Sequence, residues 1–137
     1  MPLVLIFLAL VSVDMLHRHQ AGLSRPDFPP ALAPQIQRQI LRQNRERDGL
    51  SFAHAIILPA MPDELCDPTE HAWLAAHFPN ASEGAWHYFW RDKKAWDTYE
   101  LRLGDGRTVT VYFDVTKIIQ NMPDMTKPPP APTSPPA

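Results

Sequence analysis

The chain has 137 residues, 45% of them hydrophobic, with a formal net charge of −2 and a pI near 6.3. That size leaves room for one domain, and that charge excludes a whole-molecule attraction to nucleic acid or anionic lipid. The single cysteine, Cys66, excludes an intrachain disulfide, and five dispersed glycines leave no phosphate-cradling loop.

Residues 1–16 come first. Leu3 to Val11 is unbroken apolar sequence, and no Lys or Arg precedes Arg18. A spanning helix needs about 20 apolar residues to cross a hydrocarbon core of roughly 30 Å, more than this run supplies. A signal-peptide core of about 7–15 apolar residues matches its length, although the basic flank and a small-x-small cleavage site are missing. Burial within the domain is the opposing reading, and initiation at Met15 would remove the run. We take export or membrane tethering as the leading expectation (cell envelope or secreted, with membrane contact through residues 3–16) and a cytoplasmic domain as the alternative.

Residues 17–34 contain Gly22, Pro26, Pro29, Pro30 and Pro34 and read as an extended linker. Residues 35–48 form a helix candidate, with Pro34 in its first turn, Ile36, Ile40 and Leu41 as a narrow apolar stripe, and Gly49 as its C-cap. Arg38, Arg42, Arg45 and Arg47 give it a basic face suited to phosphate or an acidic partner, for which a solvated surface is the plainer account. Residues 51–58 are a short apolar run, read as a buried strand ending at Pro59.

Asp67-Pro68-Thr69-Glu70 resembles a capping box, with Asp67 as N-cap, proline at the first helical position and Glu70 reaching back. The helix it opens runs to about Phe78 and is apolar on most sides, so it is expected to be buried. Asn80-Ala81-Ser82 matches a glycosylation sequon and is read as a turn.

Residues 85–91, 98–103 and 107–115 form a β-meander. A two-residue Asp105-Gly106 turn would set Leu103 opposite Thr108, mixing apolar and polar side chains on one face. A three-residue loop, 104–106, instead pairs Leu101 with Val109 and Tyr99 with Val111. The buried face therefore selects the longer loop, with Gly106 left-handed. Trp86, Tyr88 and Trp90 share one face of the first strand and are expected beneath the helix. His87, Phe89 and Arg91 lie on the other and, with Tyr112, form a candidate contact surface. Residues 122–137 hold seven of the sixteen prolines and read as a solvated tail. Its two Pro-x-x-Pro matches lack a well-placed basic flank.

The chemistry-bearing residues do not assemble into a motif. Glu70 and His77 share a helical stripe but stand two turns apart, roughly 10 Å along the axis, and His71 points elsewhere. Asp67 beside Cys66 opposes activation of the thiol. Asp63 and Glu64 are loop neighbours with no reason to converge. No catalytic, cofactor or metal residue is nominated, and no small-molecule ligand is indicated.

The expected architecture is α+β: a small antiparallel meander of three to four strands packed against two helices, within a single domain of residues 35–121. The expected function is a non-catalytic protein-binding domain with an unknown protein partner. The alternatives are a cytosolic domain binding nucleic acid or an acidic partner through the 35–48 helix, and a small enzyme using His77 or His87 in a pocket between helix and sheet.

Overall fold

The structure is a computed structural model that describes residues 25–122. The expectations for the apolar segment 1–16, for linker residues 17–24 and for the tail beyond residue 122 lie outside the described residues. The described part of the linker, residues 25–34, packs onto the domain, with Phe28 and Leu32 buried in its core. Among the described residues, no helix is long and apolar enough to cross a membrane.

The fold is α+β. Helix α1 (Pro34–Gln43) leads to the short strand β1 (Ile56–Ile57), and a 3₁₀ turn (Asp63–Leu65) runs into helix α2 (Cys66–His77). Strands β2 (Ser82–Arg91), β3 (Lys94–Arg102) and β4 (Thr108–Asp114) follow, and helix α3 (Thr116–Gln120) closes the order. The four strands form one sheet in the order β1-β4-β3-β2. β1 runs parallel to β4, while the β2–β3 and β3–β4 pairs are antiparallel, so the sheet is mixed rather than the expected antiparallel meander. The long path from β1 through α2 and two hairpins returns the chain beside β1 in the same direction, as a parallel pair requires.

The β3–β4 hairpin has the register derived from its apolar residues. Leu101 pairs with Val109, Tyr99 with Val111, Glu100 with Thr110 and Arg102 with Thr108. The Leu103 amide donates to the Arg107 carbonyl at 2.8 Å, closing a three-residue loop in which Gly106 has φ +90°. The preceding strands are longer than expected. β2 and β3 turn through Asp92 and Lys93, both left-handed at φ 54° and 64°, so β3 starts at Lys94 and not at Thr98. A two-residue hairpin turn needs that conformation, and here two non-glycine residues supply it without the usual sequence signal.

Only two residues of the 51–58 run are strand. Residues 51–55 turn instead, with the His54 amide donating to Ser51 Oγ at 3.1 Å. The outer edge of β1 is closed by a side chain. Ile57 donates to Asn44 Oδ1 at 2.7 Å, and Asn44 Nδ2 donates to the carbonyls of Ile57 and Ile40, each at 2.9 Å. Asn44 thus substitutes for a neighbouring strand while ending α1, which stops at Gln43 and not near Asp48. Gly49 is not a helix cap. It sits at φ +78°, accepts a bond from the Tyr112 amide at 2.7 Å, and a Cβ there would lie 3.0 Å from Val111 Cγ1 and 3.3 Å from Trp73.

α2 lies across β3 and β4, with the Trp73 ring edge-on to Phe113 at 5.6 Å and Leu101, Val111 and Ile118 fully buried around it. It does not extend over the edge strand β2. Tyr88 and Trp90 are consequently only half-buried, and Trp86, expected in the core, is 52% exposed.

Two substitutions test this frame. Asn44→Ala leaves the Ile57 amide and carbonyl unpaired and should lower stability by about 1–3 kcal/mol, read as a shifted denaturant midpoint at unchanged slope. Gly49→Ala should cost at least about 1–2 kcal/mol from backbone strain alone, before any repacking around Val111.

Candidate functional site

The first turns of α2 bring Cys66 and Glu70, four residues apart and so on one helix face, down onto the sheet. Asp97 and Tyr99 alternate on β3 and project from the sheet toward them. The Tyr99 hydroxyl donates to Glu70 Oε1 at 2.9 Å, and Cys66 Sγ lies 4.0 Å from Asp97 Oδ2. Glu70 is fully buried and Asp97 only 5% exposed. Among the described residues, no donor meets Glu70 Oε2. Donor atoms of Cys66, Asp67, Glu70 and Asp97 all lie within 4.8 Å of one another.

This placement overturns the capping-box reading. The helix begins at Cys66 and no side chain caps it, and Glu70 turns into the core instead of back to the helix start. Burial pushes the Glu70 carboxyl well above the usual range, and the neighbouring charge of Asp97 adds to the shift. Asp97 is raised as well, chiefly by burial, against the lowering effect of hydrogen bonds from Glu70 and Trp86. One proton shared between the two carboxyls satisfies both and pairs Glu70 Oε2. Burial, with Glu70 and Asp97 adding to it, also holds Cys66 in its thiol form. Tyr99 is raised by burial and then by Glu70, which keeps its hydroxyl a donor.

A cleft of about 360 Å³ opens beside this floor, between the start of α2 and the β2 edge. Asp63, Glu64 and Asp67 stand on its helix side, and Trp86 and Tyr88 form its strand wall. Val115, Ile119 and Met122 complete the lining, which among the described residues contains no Lys, Arg or His. The Trp90 indole donates to the Tyr88 hydroxyl at 2.8 Å and so fixes one wall.

The sequence-derived candidates lie elsewhere. Phe89, Arg91 and Tyr112 are on the opposite sheet face, gathered around Phe52. Its ring is 4.6 Å from Tyr112 and 6.2 Å from Phe89, with the Arg91 guanidinium 4.4 Å above it. His87 is exposed on that face. Arg38, Arg42 and Arg45 are exposed, whereas Arg47 donates to the carbonyls of Ala53 and Ala55 at 3.1 and 3.2 Å. His77 stacks on Trp73 at 3.8 Å and is lowered by burial, and neither it nor His87 lines the cleft. His71 instead meets Glu83 at 3.0 Å near the mouth of a neighbouring groove.

Glu70 and Asp97 are the residues that sequence reasoning missed. Glu70 belongs to the stripe Glu70, Trp73, Leu74 and His77, whose spacing marks the buried face of α2. Asp97 falls in phase with Tyr99 and Leu101, the apolar face of β3, once that strand is started at Lys94. No family model, curated protein or solved structure matches the chain.

Because the folded state raises the Glu70 pKa, it holds a proton that the unfolded chain releases above about pH 4.3. Its contribution to stability is therefore complete below that value and declines as pH rises toward the folded pKa. Glu70→Gln mimics the protonated acid, since its amide donates to Asp97 while its carbonyl still accepts from Tyr99. Thermal midpoints in chelator-treated buffer should fall with rising pH in the unaltered chain and stay flatter in the variant, which becomes the more stable protein at alkaline pH.

Proposed function

We propose that the chain is a non-catalytic binding domain whose acidic, aromatic-walled cleft receives a cationic group of a protein partner, such as a Lys or Arg side chain. The observation that carries this reading is Trp86, a tryptophan half in solvent on the wall of a cleft whose charged lining is entirely acidic. An exposed indole face and nearby carboxylates together favour a guanidinium or ammonium: the ring quadrupole attracts the cation, and the carboxylates accept its hydrogen bonds. Tryptophans at such positions commonly anchor protein interfaces. Binding of this kind needs no nucleophile, in keeping with a thiol held protonated. In this reading the apolar residues 3–16 keep the domain at or beyond a membrane, where its partner would lie.

The test is calorimetric titration of the full chain with a short Arg-Gly repeat peptide and with a Glu-Gly repeat as control. The arginine peptide should bind, and the control should not. Trp86→Ala should weaken binding about tenfold; because it also removes the indole hydrogen bond to Asp97, the unfolding midpoint is measured alongside to confirm that the variant is folded at the titration temperature. The Asp63→Asn, Glu64→Gln pair should reduce the salt dependence of binding. Equal affinity for both peptides, or full affinity in the Trp86 variant, would overturn the reading.

A further inference from the structure

We propose that the floor of the cleft binds a divalent transition-metal ion of the zinc class through Cys66, Glu70, Asp97 and Asp67. The inference goes beyond cation recognition at Trp86, although Asp67 and Asp97 belong to the lining of the same cleft. An acidic cluster alone would not carry it. The deciding feature is Glu70 Oε2, a fully buried oxygen that no Lys, Arg or other fixed donor of the described residues meets, beside Asp97 in a cluster made of carboxyls and a thiol, so that without a shared proton it stands open to a cation. Within the cluster a carboxyl proton, the Cys66 thiol hydrogen or a bound cation can satisfy such an atom, and only the cation can serve all of the cluster's oxygens at once.

The donor set then selects the ion. One sulfur with three carboxylate oxygens is a mixed set of the kind zinc accepts, whereas magnesium and calcium take oxygen ligands alone. Zinc–oxygen bonds of about 2.0–2.2 Å and zinc–sulfur bonds of about 2.3 Å place tetrahedral ligand atoms roughly 3.3–3.7 Å apart. The observed separations, all within 4.8 Å, require a contraction of up to about 1.5 Å. Cys66 and Glu70 come from one helix face and Asp97 from the facing strand, so the ligand atoms approach one another from both sides of the seam. The Tyr99 hydroxyl on Glu70 Oε1 supplies the outer hydrogen bond that typically orients a ligating carboxylate.

Charge is consistent with this assignment. Binding displaces the Cys66 thiol proton and the proton shared by Glu70 and Asp97, leaving four anionic ligands on a doubly charged ion. The net charge of −2 equals that of a four-thiolate zinc site. Asp67 is exposed, which lets solvent carry part of it. The rim therefore stays acidic, and a metal on the floor is compatible with a cationic partner at the mouth.

Cobalt(II) substitution tests the proposal on the full chain after chelator dialysis. Cys66 is the only cysteine, so a thiolate-to-cobalt charge-transfer band in the near ultraviolet reports this site and no other. The expected result is such a band saturating at one ion per chain, displacement of cobalt by zinc, and a thermal midpoint that rises with zinc concentration. Tyr99→Phe, which removes only the outer hydrogen bond, should weaken cobalt binding about 10–100-fold while keeping the band. Glu70→Gln should weaken it further. Cobalt binding without the band would place the ion on surface carboxylates and overturn the proposal. Absence of binding, or unchanged affinity in Glu70→Gln, would do the same. None of these readouts depends on peptide binding, so failure here leaves the Trp86 reading standing, and the reverse also holds.

Discussion

Two carboxyl groups face each other in the seam between α2 and the sheet, and among the described residues neither has a basic partner. Desolvating an ionised carboxylate costs far more than a neutral one, so the pair must share a proton or hold a cation for the helix to lie where it does. Much else follows from this constraint. Tyr99 must keep its hydroxyl as a donor, Cys66 must remain a thiol in the proton-bound state, and Trp86 is left facing solvent because the helix ends its cover at β3. A hydrophobic residue at position 70 would pack this seam with less difficulty. Retaining an acid there has a structural cost, and a costly group at the edge of a cleft is where function is first sought.

The rest of the core holds that seam in place. Trp73 and Leu74, on the same stripe as Glu70, fix the rotation of α2 against Phe113 and Val111. A rotation that withdrew Glu70 would also withdraw Trp73, and the apolar area lost would outweigh the gain in carboxylate hydration. Behind Trp73 stands Gly49, whose missing side chain admits the indole tip. Asn44 anchors the same loop from the other end by closing the β1 edge. The chain between α1 and β1 thus serves as a wedge that sets how deep α2 sits.

The legible parts of the fold were those in which one physical rule dominates. The β3–β4 register followed from face matching alone, since any one-residue slip would have exposed Val111 and Leu101. The α+β class and the position of α2 followed from proline placement and apolar spacing. The parts that resisted involve local signals opposed by tertiary contacts. Asp67-Pro68-Thr69-Glu70 carries the composition of a cap, yet Glu70 finds a stronger partner in Tyr99. Asp92 and Lys93 take left-handed conformations that neither residue advertises, because two long strands pair through to Arg91 and Lys94 and leave two residues to turn. Asn44 reads as an ordinary polar residue at a helix end, and its role as a stand-in strand exists only once β1 has docked.

The aromatic residues divide along the same line. Alternation correctly assigned Trp86, Tyr88 and Trp90 to one face and His87, Phe89 and Arg91 to the other, but alternation says nothing of how far a helix reaches across a sheet. On the outer face Phe52 folds back over Tyr112 and Trp96, so aromatic area that the strand pattern leaves open is partly covered by the chain itself. On the inner face α2 stops short, and area that the pattern would bury stays open. The opening falls beside Glu70 and Asp97, buried acids that lack a counter-charge among the described residues. Shape and charge therefore converge on the α2–β2 cleft, where the exposed Trp86 indole stands close to the buried Glu70–Asp97 pair.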